Sequence, residues 1–123
     1  MFAIEVHAEF VASHKLRLGQ GELEPRHEHT WRVTVHVGSR QLDPMDTVMD
    51  FHALERRLQT ICGCWNNRNL NEIAPFDRTV NPSAERVAQR IAELLAPEIP
   101  PPAKLQSVAI TEAPGCEAIY LLD

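Results

Sequence analysis

The chain has 123 residues, 44% hydrophobic and 24% charged, which suits a globular protein rather than a disordered or fibrous one. The length accommodates one domain, residues 1–123, and not two ordinary ones. A net charge of −5, with no Lys/Arg cluster longer than Arg56-Arg57, argues against nucleic acid as a partner. No apolar run approaches the ~20 residues of a membrane helix, so the expected location is the cytoplasm, away from the membrane.

From Phe2 the even positions Phe2, Ile4, Val6, Ala8, Phe10 and Ala12 are apolar, whereas Glu5, His7 and Glu9 lie between them. This period of two predicts a strand with one buried face, and the buried parity continues to His14. A polar stretch with Gly19, Gly21 and Pro25 reads as a loop. The odd positions His27, His29, Trp31, Val33, Val35 and Val37 then share one face, opposite Arg32, Thr34 and His36. Two histidines therefore enter the core side of a second strand. Gly38 and Asp43-Pro44 mark a turn region.

Asp50 reads as a helix N-cap, and Phe51, Leu54, Leu58, Ile61 and Cys62 follow at spacings of three and four. Residues 63–80 are Asn-rich with no sustained period and predict mostly loop, with a short turn around Leu70. Asn81-Pro82-Ser83 opens a second helical stripe of Val87, Ala88, Ile91, Leu94 and Leu95, with Pro82 expected in its first turn. Pro97 and Pro100 to Pro102 end it. Val108 and Ile110 lead to Glu112, and Ala118 to Leu122 forms a last strand after Pro114-Gly115. The order predicts an α+β domain, a four-stranded antiparallel sheet with two helices on one face.

Cys62, Cys64 and Cys116 form an odd set whose spacing fits neither a C-x-x-C redox pair nor a zinc knuckle, so they read as reduced thiols. Cys62 continues the apolar face of the first helix. The histidines carry more chemistry. His27-x-His29 on a strand places two imidazoles on one side, about 7 Å apart by strand rise. His14 has the inward parity at the end of the neighbouring strand. Three imidazoles aimed at one end of a core are a plausible zinc site with a position open to water or substrate. His7, His36 and His52 lack that convergence and read as surface residues.

The ordered set Phe10-Val-Ala-Ser-His14, His27-Glu-His29, Val48-Met-Asp-Phe51, Leu70-Asn71, Asn81-Pro-Ser-Ala-Glu85 and Thr111-Glu112-Ala-Pro114 with Tyr120 resembles the 6-pyruvoyl-tetrahydropterin and 6-carboxytetrahydropterin synthase family. The resemblance implies the tunnelling fold, or T-fold, commonly assembled as a homohexamer of two trimers. It implies Zn2+ on His14, His27 and His29, and a pterin such as dihydroneopterin triphosphate as the small-molecule partner. It also implies that the Thr111-Glu112 segment binds substrate, with Glu112 accepting paired hydrogen bonds from the pterin ring.

Three departures bear on the reaction. Residues Gln20 to Arg26 contain no Cys where the family's synthases usually carry a catalytic one. Asn66 and Asn67 replace an Asp-His pair, and an amide cannot shuttle protons. Glu28 replaces the central Gly of the usual His-Gly-His. Glu24, three residues before His27, resembles the Glu that stands in for the Cys in a variant branch that cleaves the substrate side chain. The expected activity is therefore a zinc-dependent lyase with Glu24 as base. The competing reading is a zinc- and pterin-binding relative that has lost the ancestral reaction or acts on a purine-like compound.

Overall fold

The alternation at the start of the chain becomes a long strand, β1 (Phe2–His14), paired antiparallel with β2 (His27–Ser39). The computed structural model describes residues 1–123. The β1–β2 ladder runs in register from Phe2↔Ser39 to His14↔His27. That register puts the even positions of β1 and the odd positions of β2 on the same face. Val6, Phe10, Ala12 and His14 are buried from β1, and Trp31, Val33, Val35 and Val37 from β2. Phe10 and Trp31 stack with ring centroids 5.8 Å apart, and the Trp31 indole N–H donates to the Ala12 carbonyl at 3.0 Å, so the ring carries no unsatisfied donor into the core.

Helix α1 spans Phe51–Trp65, and the Asp50 carboxylate caps it by accepting from the His52 N–H. Its buried residues Leu54, Leu58, Cys62 and Trp65 recur at helical spacing. Helix α2 spans Ala84–Leu95, capped by the Ser83 hydroxyl, which accepts from the Arg86 N–H. Pro82 thus precedes the cap rather than sitting in the first turn, and its carbonyl is left free for a role described below. Both helices bury most of their apolar stripes in one cluster of 25 residues shared with the sheet, while Phe51 and Leu94, which the spacing counted in those stripes, stay exposed. Each large side chain so buried contributes roughly 1.5–3 kcal/mol.

Between the helices, Arg68–Asn69 form a two-residue strand, β3, parallel to β1 at Ala12 and Ser13. The chain ends with β4 (Lys104–Ala113) and β5 (Cys116–Leu121), joined through Pro114 and Gly115, whose φ of 79° is readily adopted only by glycine. The sheet order is β3-β1-β2-β4-β5. The four expected antiparallel strands and two helices are all present, and β3 adds a short parallel edge. A two-residue strand is too short to leave a period in the sequence.

Candidate metal and active site

The end of the sheet where β1 stops and β2 starts gathers the imidazoles. His14 closes β1 and is almost fully buried. Its Nδ1 lies 2.7 Å from the Pro82 carbonyl. A carbonyl only accepts, so Nδ1 carries the proton and donates it there. Nε2 is thereby turned towards Glu112 Oε1, 2.9 Å away. The same carboxylate oxygen lies 3.1 Å from His29 Nε2. A lone pair on His14 Nε2 facing a carboxylate oxygen is repulsive unless a positive species, a proton or a metal ion, sits between them.

The ligand atoms of His14, His29 and Glu112 all lie within 4.8 Å of one another. Borderline imidazole nitrogens with one hard oxygen suit zinc or a similar divalent ion, so the donor set fits the metal that the resemblance implies. His27 is placed differently. Its side chain is 47% exposed and its Nε2 faces Glu24 Oε2 at 3.9 Å. His14↔His27 is the last pair of the ladder, with no further strand pair beyond it to cover the ring. The inward parity of β2 therefore holds for His29 and weakens at His27. The three rings remain neighbours, with the His27 centroid 6.3 Å from His14 and 5.9 Å from His29.

Glu24 is held by the segment that leaves β1. Its backbone N–H donates to the Leu16 carbonyl at 3.1 Å, and its Oε1 accepts from the Leu16 N–H at 3.0 Å. One carboxylate oxygen is thus committed to the backbone, and the other faces His27. Lys15 and Arg17, on either side, are gripped by asparagines. Asn71 accepts from the Lys15 N–H at 2.8 Å and donates to its carbonyl at 2.9 Å. Asn81 does the same to Arg17 at 2.7 and 3.1 Å. The guanidinium of Arg17 donates to the Phe76 and Val80 carbonyls. Side-chain amides here replace a neighbouring strand. Asn71 and Asn81 belonged to sequence motifs but carried no assigned role, because backbone clamping has no signature in residue spacing.

Asn66 and Asn67 also serve the backbone. The Asn66 side chain accepts from the Val11 N–H, and the Asn67 N–H donates to the Val11 carbonyl. Asn67 has φ 60°, a left-handed conformation in which Asn is enriched. Thr111 donates its hydroxyl hydrogen to Glu117 across the β4–β5 hairpin at 3.3 Å. With Glu112, Thr30 and Arg32 it lines a cleft of about 250 Å³.

The sheet with two helices on one face, and the imidazole and carboxylate cluster at one end, have the α+β architecture of the T-fold. The 6-pyruvoyl tetrahydropterin synthase family model matches residues 3–122, and the chain belongs to that family. Among solved structures it is similar to the Caenorhabditis elegans 6-pyruvoyl tetrahydropterin synthase, at 22% identity and TM-score 0.80, covering 99% of this chain and 96% of that one. The Plasmodium vivax synthase matches at 16% identity and TM-score 0.75, covering 98% of both chains. The Plasmodium falciparum synthase matches at 18% and 0.74, covering 96% of both. Two further Plasmodium vivax structures are described as catalytic-residue mutants, with a glutamate replaced by alanine or by cysteine. No protein of curated function matches the chain by sequence.

Proposed function

We propose that the protein is a zinc-dependent pterin lyase that cleaves the side chain of dihydroneopterin triphosphate or a close relative, with Glu24 as the base. The observation that carries this reading is the placement of Glu24 beside the imidazole cluster, with one oxygen pinned by Leu16 and the other directed to His27. The relative in which a glutamate is named as a catalytic residue supports the choice of base. His14, His27 and His29 would hold the zinc, with His27 turning inward from its exposed position, and zinc held there would supply a Lewis acid for the oxygens of the substrate side chain.

The remaining work falls to the chain's own groups. Glu112 accepts hydrogen bonds from the amino group and adjacent N–H of the pterin ring, and Thr111 lines the same cleft. The free oxygen of Glu24 accepts the proton of a side-chain hydroxyl. The deprotonated hydroxyl oxygen becomes the carbonyl of the departing fragment, the electron pair of the broken C–C bond moves into the conjugated ring, and the proton held on Glu24 returns to the carbon left on the pterin. One base suffices for this cleavage, consistent with Asn66 and Asn67 being committed to Val11. The alternative, a pterin-binding relative without turnover, is favoured by the same loss of the Asp-His pair.

Mass analysis of products after incubating zinc-loaded protein with dihydroneopterin triphosphate separates the readings. The expected result is 6-hydroxymethyl-dihydropterin, reduced about 10²- to 10⁴-fold by Glu24→Gln. Unchanged substrate under conditions in which a family synthase turns over would refute the lyase.

A further inference from the structure

A second imidazole and carboxylate cluster lies on the face of the sheet turned away from the helices. Glu5 and His36 are direct cross-strand partners in the β1–β2 ladder, and His36 is in turn opposite Ser107 on β4. His7 is opposite Thr34 in the adjoining row. His36 Nε2 lies 2.9 Å from Glu5 Oε1, and His7 Nε2 lies 3.4 Å from Glu5 Oε2. Each ring's other nitrogen meets a hydroxyl: His7 Nδ1 is 3.0 Å from Thr34 Oγ1, and His36 Nδ1 is 3.1 Å from Ser107 Oγ. One carboxylate therefore has an imidazole on each oxygen, and both rings are held from behind.

We infer that Glu5, His7 and His36 form a second binding site for a divalent transition metal, separate from the site at His14 and His29. Two imidazoles and a carboxylate are a common ligand set for such ions, and outer hydrogen bonds that fix ring orientation accompany most metal-bound histidines. The hydroxyl partners matter chemically. A hydroxyl either donates to Nδ1 or accepts from Nδ1–H. Each ring can therefore keep its proton on Nε2, donating to Glu5, or move it to Nδ1 and free the Nε2 lone pair for a metal. The site switches from hydrogen-bonded to metal-binding without losing a proton. His14 differs, because the Pro82 carbonyl permits one tautomer only.

Two further features favour the ion. Arg32, further along the same face, is paired with Glu9 at 3.2 Å, which offsets its charge. The side chains of His7, Glu5 and His36 are 65%, 46% and 39% exposed, so the ion has access. In the arrangement seen, the rings hold opposite oxygens of the carboxylate, so the Glu5 carboxylate must turn aside for both nitrogens to reach one ion. Exposure leaves it free to do so.

Equilibrium dialysis of the whole protein against zinc, followed by elemental analysis, tests the assignment. The expected result is that wild-type protein binds two ions per chain, that His36→Ala or His7→Ala removes one, and that His29→Ala removes the other. All are checked for folding by circular dichroism. If zinc is lost in His29→Ala alone, and His7→Ala and His36→Ala keep the wild-type stoichiometry, the inference fails. If His29→Ala changes nothing while His36→Ala removes an ion, the second site stands and the proposed lyase site fails.

Discussion

His14, His27 and His29 share a strand parity but not an environment. His14 is locked by Pro82, His29 is half-buried against Glu112, and His27 is solvated beside Glu24. The proposed ligand set makes a measurable distinction between His27 and Glu112. His27→Ala should weaken zinc binding at this site at least about tenfold, whereas Glu112→Gln should keep the zinc and lose pterin affinity in calorimetry. The reverse pattern would make Glu112 the third ligand and leave His27 as a partner of Glu24. The thiols differ as sharply. Burial pushes the Cys62 thiol up to about 12, while Cys64 and Cys116 are exposed. At neutral pH a thiol reagent should label Cys64 and Cys116 in the native protein and reach Cys62 only on unfolding. Rapid native labelling of all three thiols would contradict that burial.

At the scale of elements, what the sequence reveals is what repeats. The alternation of Val33, Val35 and Val37 and the stripe of Leu54, Leu58 and Cys62 follow the periods of strand and helix. The cap Asp50 was readable because its side chain must stand immediately before the first turn, whereas the second helix starts later than expected, with Ser83 as its cap and Pro82 outside it. The segment from Lys15 to Glu24 was read as a polar loop because its partners are Asn71 and Asn81, more than fifty residues away in sequence. Removing either asparagine leaves a backbone N–H and a carbonyl of this segment without protein partners. Asn71→Ala or Asn81→Ala should each cost about 1–2 kcal/mol in denaturant unfolding. Each should also lower turnover, because Glu24 loses its rigid support. A variant with full stability and full activity would show that the amides are dispensable. The same long separation hid the site's internal order: His14 and Glu112 lie far apart in the chain, and their contact arises from the placement of β4 next to β2.

For the molecule as a whole, the end of the sheet carrying the histidines and the edge strand β5 remain open. β5 is paired on one side only, by β4, and Ile119 and Leu121 are 54% and 74% exposed along it. Open apolar edges invite pairing with another chain. We expect this edge to serve the proposed homohexamer, so light scattering should give six chains for the wild type and a smaller species for Leu121→Lys. A wild-type monomer would overturn that expectation. The four antiparallel strands and the helices were legible because one buried face dictates them, whereas the assembly was legible only through the family resemblance. The strap from Lys15 to Glu24 has one more consequence. The β1–β2 ladder fixes its own register through continuous backbone pairing, while the strap is held from outside the ladder by the side-chain amides of Asn71 and Asn81. Glu24, the proposed base, is thus carried on an attachment rather than on the frame. Such a construction lets a lineage exchange one reactive side chain for another, and so one reaction for another, without disturbing the sheet that gathers the imidazoles.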